Sequence, residues 1–184
     1  MKGSHLSARI TLTILAAAFG FCPLTASAEK TGAKRGGYVD VRTYLPQGYV
    51  TDGTVDYKEH IQKCFDRNTH VLFPGSDDPA RPMIYGVTTG LNSKPMRRIR
   101  FGPNAILKRL PSLGVLLVLG PGTHLVGAVI DGNKYGHWPL LKDREVKQYA
   151  YTTGTAVTLT DQNMIRDCFV YHNAGIAFGA WGGG

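Results

Sequence analysis

Short apolar runs separated by turn-forming residues occupy most of the chain beyond Val71. Between Val115 and Asn133 there are three, Val115 to Leu119, Leu125 to Val126 and Val129 to Ile130. They are broken by Gly120-Pro121-Gly122, Gly127-Ala128 and Asp131-Gly132-Asn133. Runs of this length with glycine punctuation predict strands, because a buried helix needs about 10 to 12 residues. The same style predicts strands at Tyr38 to Arg42, Val71 to Phe73, Ile84 to Val87, Ile99 to Phe101, Ala105 to Leu107, Thr155 to Leu159, Met164-Ile165, Cys168 to Val170 and Ile176 to Phe178.

One stretch has the other period. Tyr57, Ile61, Cys64 and Phe65 share one helical face, while Lys58, Glu59, Gln62, Lys63 and Asp66 point elsewhere. Asp56 and Glu59 form a capping-box pattern, so the helix is expected to start near Asp56 and to end near Asn68. A helix with one apolar face must cover something apolar.

The strands also repeat. Setting His124 to Ile130 over Asn163 to Phe169 aligns apolar positions at an offset of 39. Lys134 to Thr153, a polar segment of 20 residues, lies inside that offset and is expected to loop out, leaving a unit of 19. A unit of that size built of short strands and tight turns predicts a solenoid, whose turns bury their apolar faces only by stacking. The amphipathic helix is placed to plug its first, open end.

The start of the chain changes where this fold is expected to work. Lys2, His5 and Arg9 precede the apolar Ile10 to Phe21, and Ala26-Ser27-Ala28 supplies a small-residue cleavage pattern, so residues 1–28 are predicted to be a secretory signal. The apolar run stops at Pro23, short of the roughly 20 residues a membrane span needs, and the bulky Phe21 argues against a lipid anchor on Cys22. The expected location is the periplasm or the extracellular space. Residues 29–37 are a polar, glycine-containing linker expected to be loose, and 38–184 form one domain. Removing Lys2 and Arg9 with the signal leaves 19 basic against 13 acidic residues, a net charge of +6. That excess suits a polyanionic partner, an acidic polysaccharide rather than nucleic acid for an exported protein. Cys64 and Cys168 fall in dissimilar settings, a helix and a late strand, which predicts two buried free thiols over a disulfide.

The run Thr51-Asp52-Gly53-Thr54-Val55-Asp56, the helix after it and Val71-Leu72-Phe73-Pro74-Gly75 resemble the entry of right-handed parallel β-helix proteins of the pectate-lyase-like superfamily. Val129-Ile130-Asp131-Gly132-Asn133 with Trp138 shortly after resembles the Ile-Asp-Gly turn of polygalacturonase relatives. The resemblance implies an all-β, right-handed parallel β-helix with an N-terminal capping helix. It also implies a lyase or glycoside hydrolase acting on acidic polysaccharide, the alternative being a non-catalytic glycan-binding or cell-surface structural protein, and a monomer in either case. Departures are visible: only Asp52-Gly53 remains of the relatives' Gly-Asp-Gly, and Ser76 to Pro82 replaces their short step into the next strand. No capping pattern follows Phe178, and the relatives' catalytic residues lie in later coils. The expectation is therefore an N-terminal portion of a longer β-helix, with its catalytic residues unknown.

Candidate chemistry is sparse. The relatives' Gly-His-Gly is missing, and the one adjacent acid pair, Asp77-Asp78, sits in a proline-rich turn that explains it without catalysis. No cofactor is expected, unless a lyase-type site takes calcium, for which Asp131, Asp161 and Asp167 are donors only if turns bring them together. The best binding surface is the looped-out segment: His137, Trp138, Lys142, Arg144 and Tyr149, with Tyr151, combine cations and rings suited to a charged sugar chain. Arg97, Arg98 and Arg100 beside Ile99 and Phe101 predict a solvated sheet face and not a groove.

Overall fold

The computed structural model describes residues 34–35, 37–136 and 154–180. The predicted signal and most of the predicted linker lie outside the described residues. Within the stretch of the predicted linker that is described, β1 (Lys34–Arg35) pairs antiparallel with β2 (Tyr38–Asp40). The predicted first strand stops early, in a 3₁₀ turn at Val41–Tyr44, because the Asp40 carboxylate accepts from Arg42 N at 2.9 Å and bends the backbone there.

Helix α1 (Lys58–Arg67) buries Ile61, Cys64 and Phe65, the face its spacing predicts. The capping box does not form. Asp56 Oδ1 accepts from Lys58 N (2.9 Å), while Thr88 donates its N–H to Oδ1 (3.1 Å) and its hydroxyl to Oδ2 (2.9 Å). The carboxylate is thereby spent on tying the helix entry to a residue 32 positions later. Asn68 ends the helix, its backbone N–H and its side-chain amide both donating to Cys64 O.

Twelve short strands follow: β3 (His70–Phe73), β4 (Met83–Val87), β5 (Leu91–Asn92), β6 (Arg98–Phe101), β7 (Ala105–Arg109), β8 (Leu117–Val118), β9 (His124–Val126), β10 (Val129–Asp131), β11 (Val157–Leu159), β12 (Met164–Arg166), β13 (Phe169–Tyr171) and β14 (Phe178–Ala180). All but the two-residue β5 fall on or beside predicted strands. They form three sheets, ordered β1-β2-β3-β6-β9-β12, β4-β7-β10-β13 and β5-β8-β11-β14. Every pairing except β1 with β2 is parallel. From β3 onward each sheet takes every third strand, an order compatible with a solenoid-like stack.

The register corrects the repeat. Val71, Ile99, Leu125 and Ile165 stand side by side, separated in sequence by 28, 26 and 40 residues. The unit therefore varies, because the loops between strands differ in length. The last offset is 40, not 39, since a slip of one residue would turn every inward side chain of a strand outward. With this register two corners stack residues of positive φ, Met96, Gly122 and Gln162 at one and Asn104, Gly127 and Asp167 at the other.

Inward side chains form one core. Phe73 lies flat on Phe101 (4.3 Å between centroids, 8°) and meets Tyr85 and Phe65 edge-on. Tyr85 Oη donates to Pro74 O at 2.7 Å, satisfying a buried hydroxyl. Arg109 is fully buried, and its Nη2 donates to Thr155 O (2.6 Å), pinning the chain just before β11. Burial lowers its pKa to about 10, so the guanidinium remains charged at neutral pH. Towards β12–β14 the core opens: Ile165, Cys168, Val170 and Phe178 are only partly buried, whereas Leu125, Ala128, Ile130 and Val157 are fully buried.

At the other end the strand edges are covered. Gln62 accepts from Asn92 N and donates to Asn92 O (both 2.8 Å), closing the edge of β5 with a side-chain amide. Along β4, Ile84 N donates to Thr51 O and Tyr57 N to Gly86 O. Among the described residues no helix is long and apolar enough to cross a membrane.

Candidate functional site

Alternation along β3, β6, β9 and β12 sends Val71, Ile99, Leu125 and Ile165 into the core. The intervening positions face outward in two columns, His70, Arg98, His124, Met164 and Leu72, Arg100, Val126, Arg166. None of these eight carries a carboxylate, so cations a strand spacing of about 4.8 Å apart share one face. Arg98 and Arg100 are exposed, as predicted. Only Arg166 has a carboxylate within ion-pair distance among the described residues, Asp167 at 3.3 Å, both being well exposed.

The face is not flat at its Arg98 row. A concavity of about 390 Å³ opens on it, lined by Thr69, His70, Arg98 and His124 and by the preceding turns at Met96, Arg97 and Gly122. Arg97 contributes to the lining, while its Nε is closed to solvent and has no hydrogen-bond partner. His70 is held on two sides: Thr69 Oγ1 lies 3.0 Å from its Nδ1, and the Tyr38 ring meets it edge-on at 5.4 Å. Met96, in a left-handed conformation and 72 % exposed, overhangs Gly122, where a Cβ would collide with its sulfur. Next to Gly122 the adjoining turn presents Asp161, whose carbonyl accepts from Gly122 N and whose side chain belongs to an exposed residue.

A second constellation lies at the end of β10. Asp131 Oδ1 accepts from Asn133 N (2.9 Å), the turn role the sequence predicts, and also lies 3.5 Å from His172 Nδ1. The rings of Tyr171 and Tyr135 meet His172 edge-on at 4.8 and 6.0 Å. Burial, then the Asp131 charge, pushes the Tyr171 phenol above its ordinary value. Sequence reading missed His172, which comes beside Asp131 only through the parallel register of β10 and β13.

Of the predicted binding residues, His137, Trp138, Lys142, Arg144, Tyr149 and Tyr151 lie outside the described residues. Asp78 is a turn residue, accepting from Ala80 N at 2.9 Å, and Asp77 is exposed beside it. Asp131, Asp161 and Asp167 are not brought together: no three His, Cys, Asp or Glu side chains converge to hold a metal among the described residues. Cys64 and Cys168 are free thiols, the first buried and the second half-buried. The signal that marks the cation face is the run from Arg97 to Arg100. The distant His70 and His124 could be added only by knowing which strands pair. No protein-family model, no curated protein and no solved structure matches the chain.

Proposed function

We propose that this is a secreted, right-handed parallel β-helix of the pectate-lyase-like type that engages acidic polysaccharide through the outer face of β3, β6, β9 and β12. The fold reading is supported by the order of the three sheets, each of which from β3 onward takes every third strand with parallel register. The single observation that carries the partner is the row His70, Arg98, His124, with Arg100 beside it, on a face whose outward positions on β3, β6, β9 and β12 include no carboxylate, the Asp40 carboxylate beside Leu72 on β2 being paired with Arg42. Such a row attracts a linear polyanion over a range set by salt, about 10 Å at 0.1 M. The enzymatic form of this reading is a lyase or glycoside hydrolase on that polymer, and the other form is glycan binding without cleavage.

Purified protein is titrated with a panel of polyuronates and with a neutral glucan, at 50 and 500 mM salt. The expected result is binding to the polyuronates alone, weakened at high salt and weakened at least about tenfold by Arg98→Ala with Arg100→Ala. Equal affinity for the neutral glucan sinks the partner reading. Release of unsaturated uronate or of reducing ends distinguishes the enzymatic form from the binding form.

A further inference from the structure

We propose that the outer face of β10 and β13 carries a separate subsite for one uncharged sugar ring, built on a chain of aromatic side chains with Asp131 at its rim. It lies on a different sheet from the cation face and rests on the polysaccharide reading only for the polymer that would supply the ring. Val170 packs on the core, so Phe169 and Tyr171 on either side of it face outward. Their rings lie 6.0 Å apart and 21° from parallel. Contacts run on from Tyr171 to His172 at 4.8 Å and from His172 to Tyr135 at 6.0 Å. Phe169 is 62 % exposed and Tyr135 76 %, and among the described residues no other Phe or Tyr is exposed. The fold thus gathers both exposed rings, far apart in sequence, into one patch, whereas incidental surface apolar residues are scattered singly.

Polar groups at the rim narrow the ligand. Asp131 Oδ1 is engaged by Asn133 N and His172 Nδ1, which fixes the carboxylate and leaves Oδ2 without a partner among the described residues. Apolar ring faces edged by a carboxylate, an imidazole and phenol hydroxyls match a sugar ring, whose C–H faces are edged by hydroxyls. His172 touches Tyr171 and Tyr135 directly, so no gap is left between the rings for an ammonium group, and the cluster is a surface to stack on and not a cage. Lys108, the outward neighbour of Asp131 on β7, lies against Gly53 on the β4 side. The Asp131 charge therefore repels a uronate and leaves an uncharged ring as the ligand. A lone stacking site is weak, about millimolar. It holds no neutral polymer tightly by itself, and it adds to the hold on a polymer already bound by the cations.

The test measures binding of galactose, glycerol and tetramethylammonium as separate probes by NMR, at millimolar concentrations. The proteins are wild type, Phe169→Ala with Tyr135→Ala, Asp131→Asn, and Arg98→Ala with Arg100→Ala, each checked for folding by circular dichroism. Galactose is expected to bind wild type with little dependence on salt and to bind the double arginine variant equally well. Loss of the two exposed rings is expected to weaken it at least about tenfold. Asp131→Asn keeps an oxygen for Asn133 N but removes the charge, and is expected to weaken galactose severalfold. Galactose binding that survives removal of both rings, or glycerol or tetramethylammonium binding as tightly as galactose, overturns the subsite. So does a dimer in sedimentation that Phe169→Ala dissociates, since the rings then serve a contact between copies. If galactose does not bind while polyuronates still respond to Arg98→Ala with Arg100→Ala, the subsite falls and the face reading stands. If galactose binds as expected but polyuronates ignore those substitutions, the face reading falls and the subsite stands.

Discussion

Cys64 points from α1 into the core with no exposed surface, and burial pushes its thiol up to about 12 from an ordinary 9. The folded state therefore holds this proton where the unfolded chain releases it. The resulting stability is intact below pH 9 and is lost as pH rises towards 12. Urea midpoints are expected to fall between pH 8 and pH 10.5, and Cys64→Ala to flatten part of that fall. Equal pH slopes for the two proteins would show that the thiol is not responsible. Asp131 illustrates a different limit at this scale: its bond to Asn133 N is a local turn contact, while its approach to His172 depends on a neighbour 41 residues away. Local chemistry was legible there and the pairing was not.

At the scale of elements, α1 acts less through its own hydrogen bonds than through what it covers. Its apolar face seats Phe65 against Phe73, and its polar edge turns Gln62 into a substitute strand for β5. Gln62→Ala removes both bonds to Asn92 and is expected to lower stability by about 1 kcal/mol. It is also expected to speed hydrogen exchange at the Asn92 amide by more than at the amides of β7. Unchanged protection at Asn92 would mean that the side chain does not close that edge. The apolar spacing of α1 was readable because it obeys the 3.6-residue period. The failure of its capping box was not, since Thr88 competes for Asp56 from the far side of a strand.

Across the whole molecule, each strand triplet buries its inward residues against the triplets on either side. Leu125, fully buried between Ile99 and Ile165, is expected to lose about 2–5 kcal/mol on substitution by Ala. Ile165→Ala, in the partly open layer of β12–β14, is expected to lose less than half as much. Urea denaturation of both variants checks the gradient, and equal losses would contradict a core assembled layer by layer. The cation face is a property of this same stacking, because His70, Arg98 and His124 become neighbours only when three layers lie in register.

The sequence by itself determined the period of each element: the strands and their inward faces, the one amphipathic helix, and the turns that glycine, Asn and Asp occupy. These are local matters of side-chain alternation and backbone preference. The tertiary structure decided which strands are neighbours, since parallel partners here are 21 to 40 residues apart and loops of unequal length hide the repeat. It alone decided the 40-residue register, the burial of Arg109, the Asp131–His172 approach and the concavity around Arg97. Each of these is a contact between layers, and no short stretch of chain contains both of its partners.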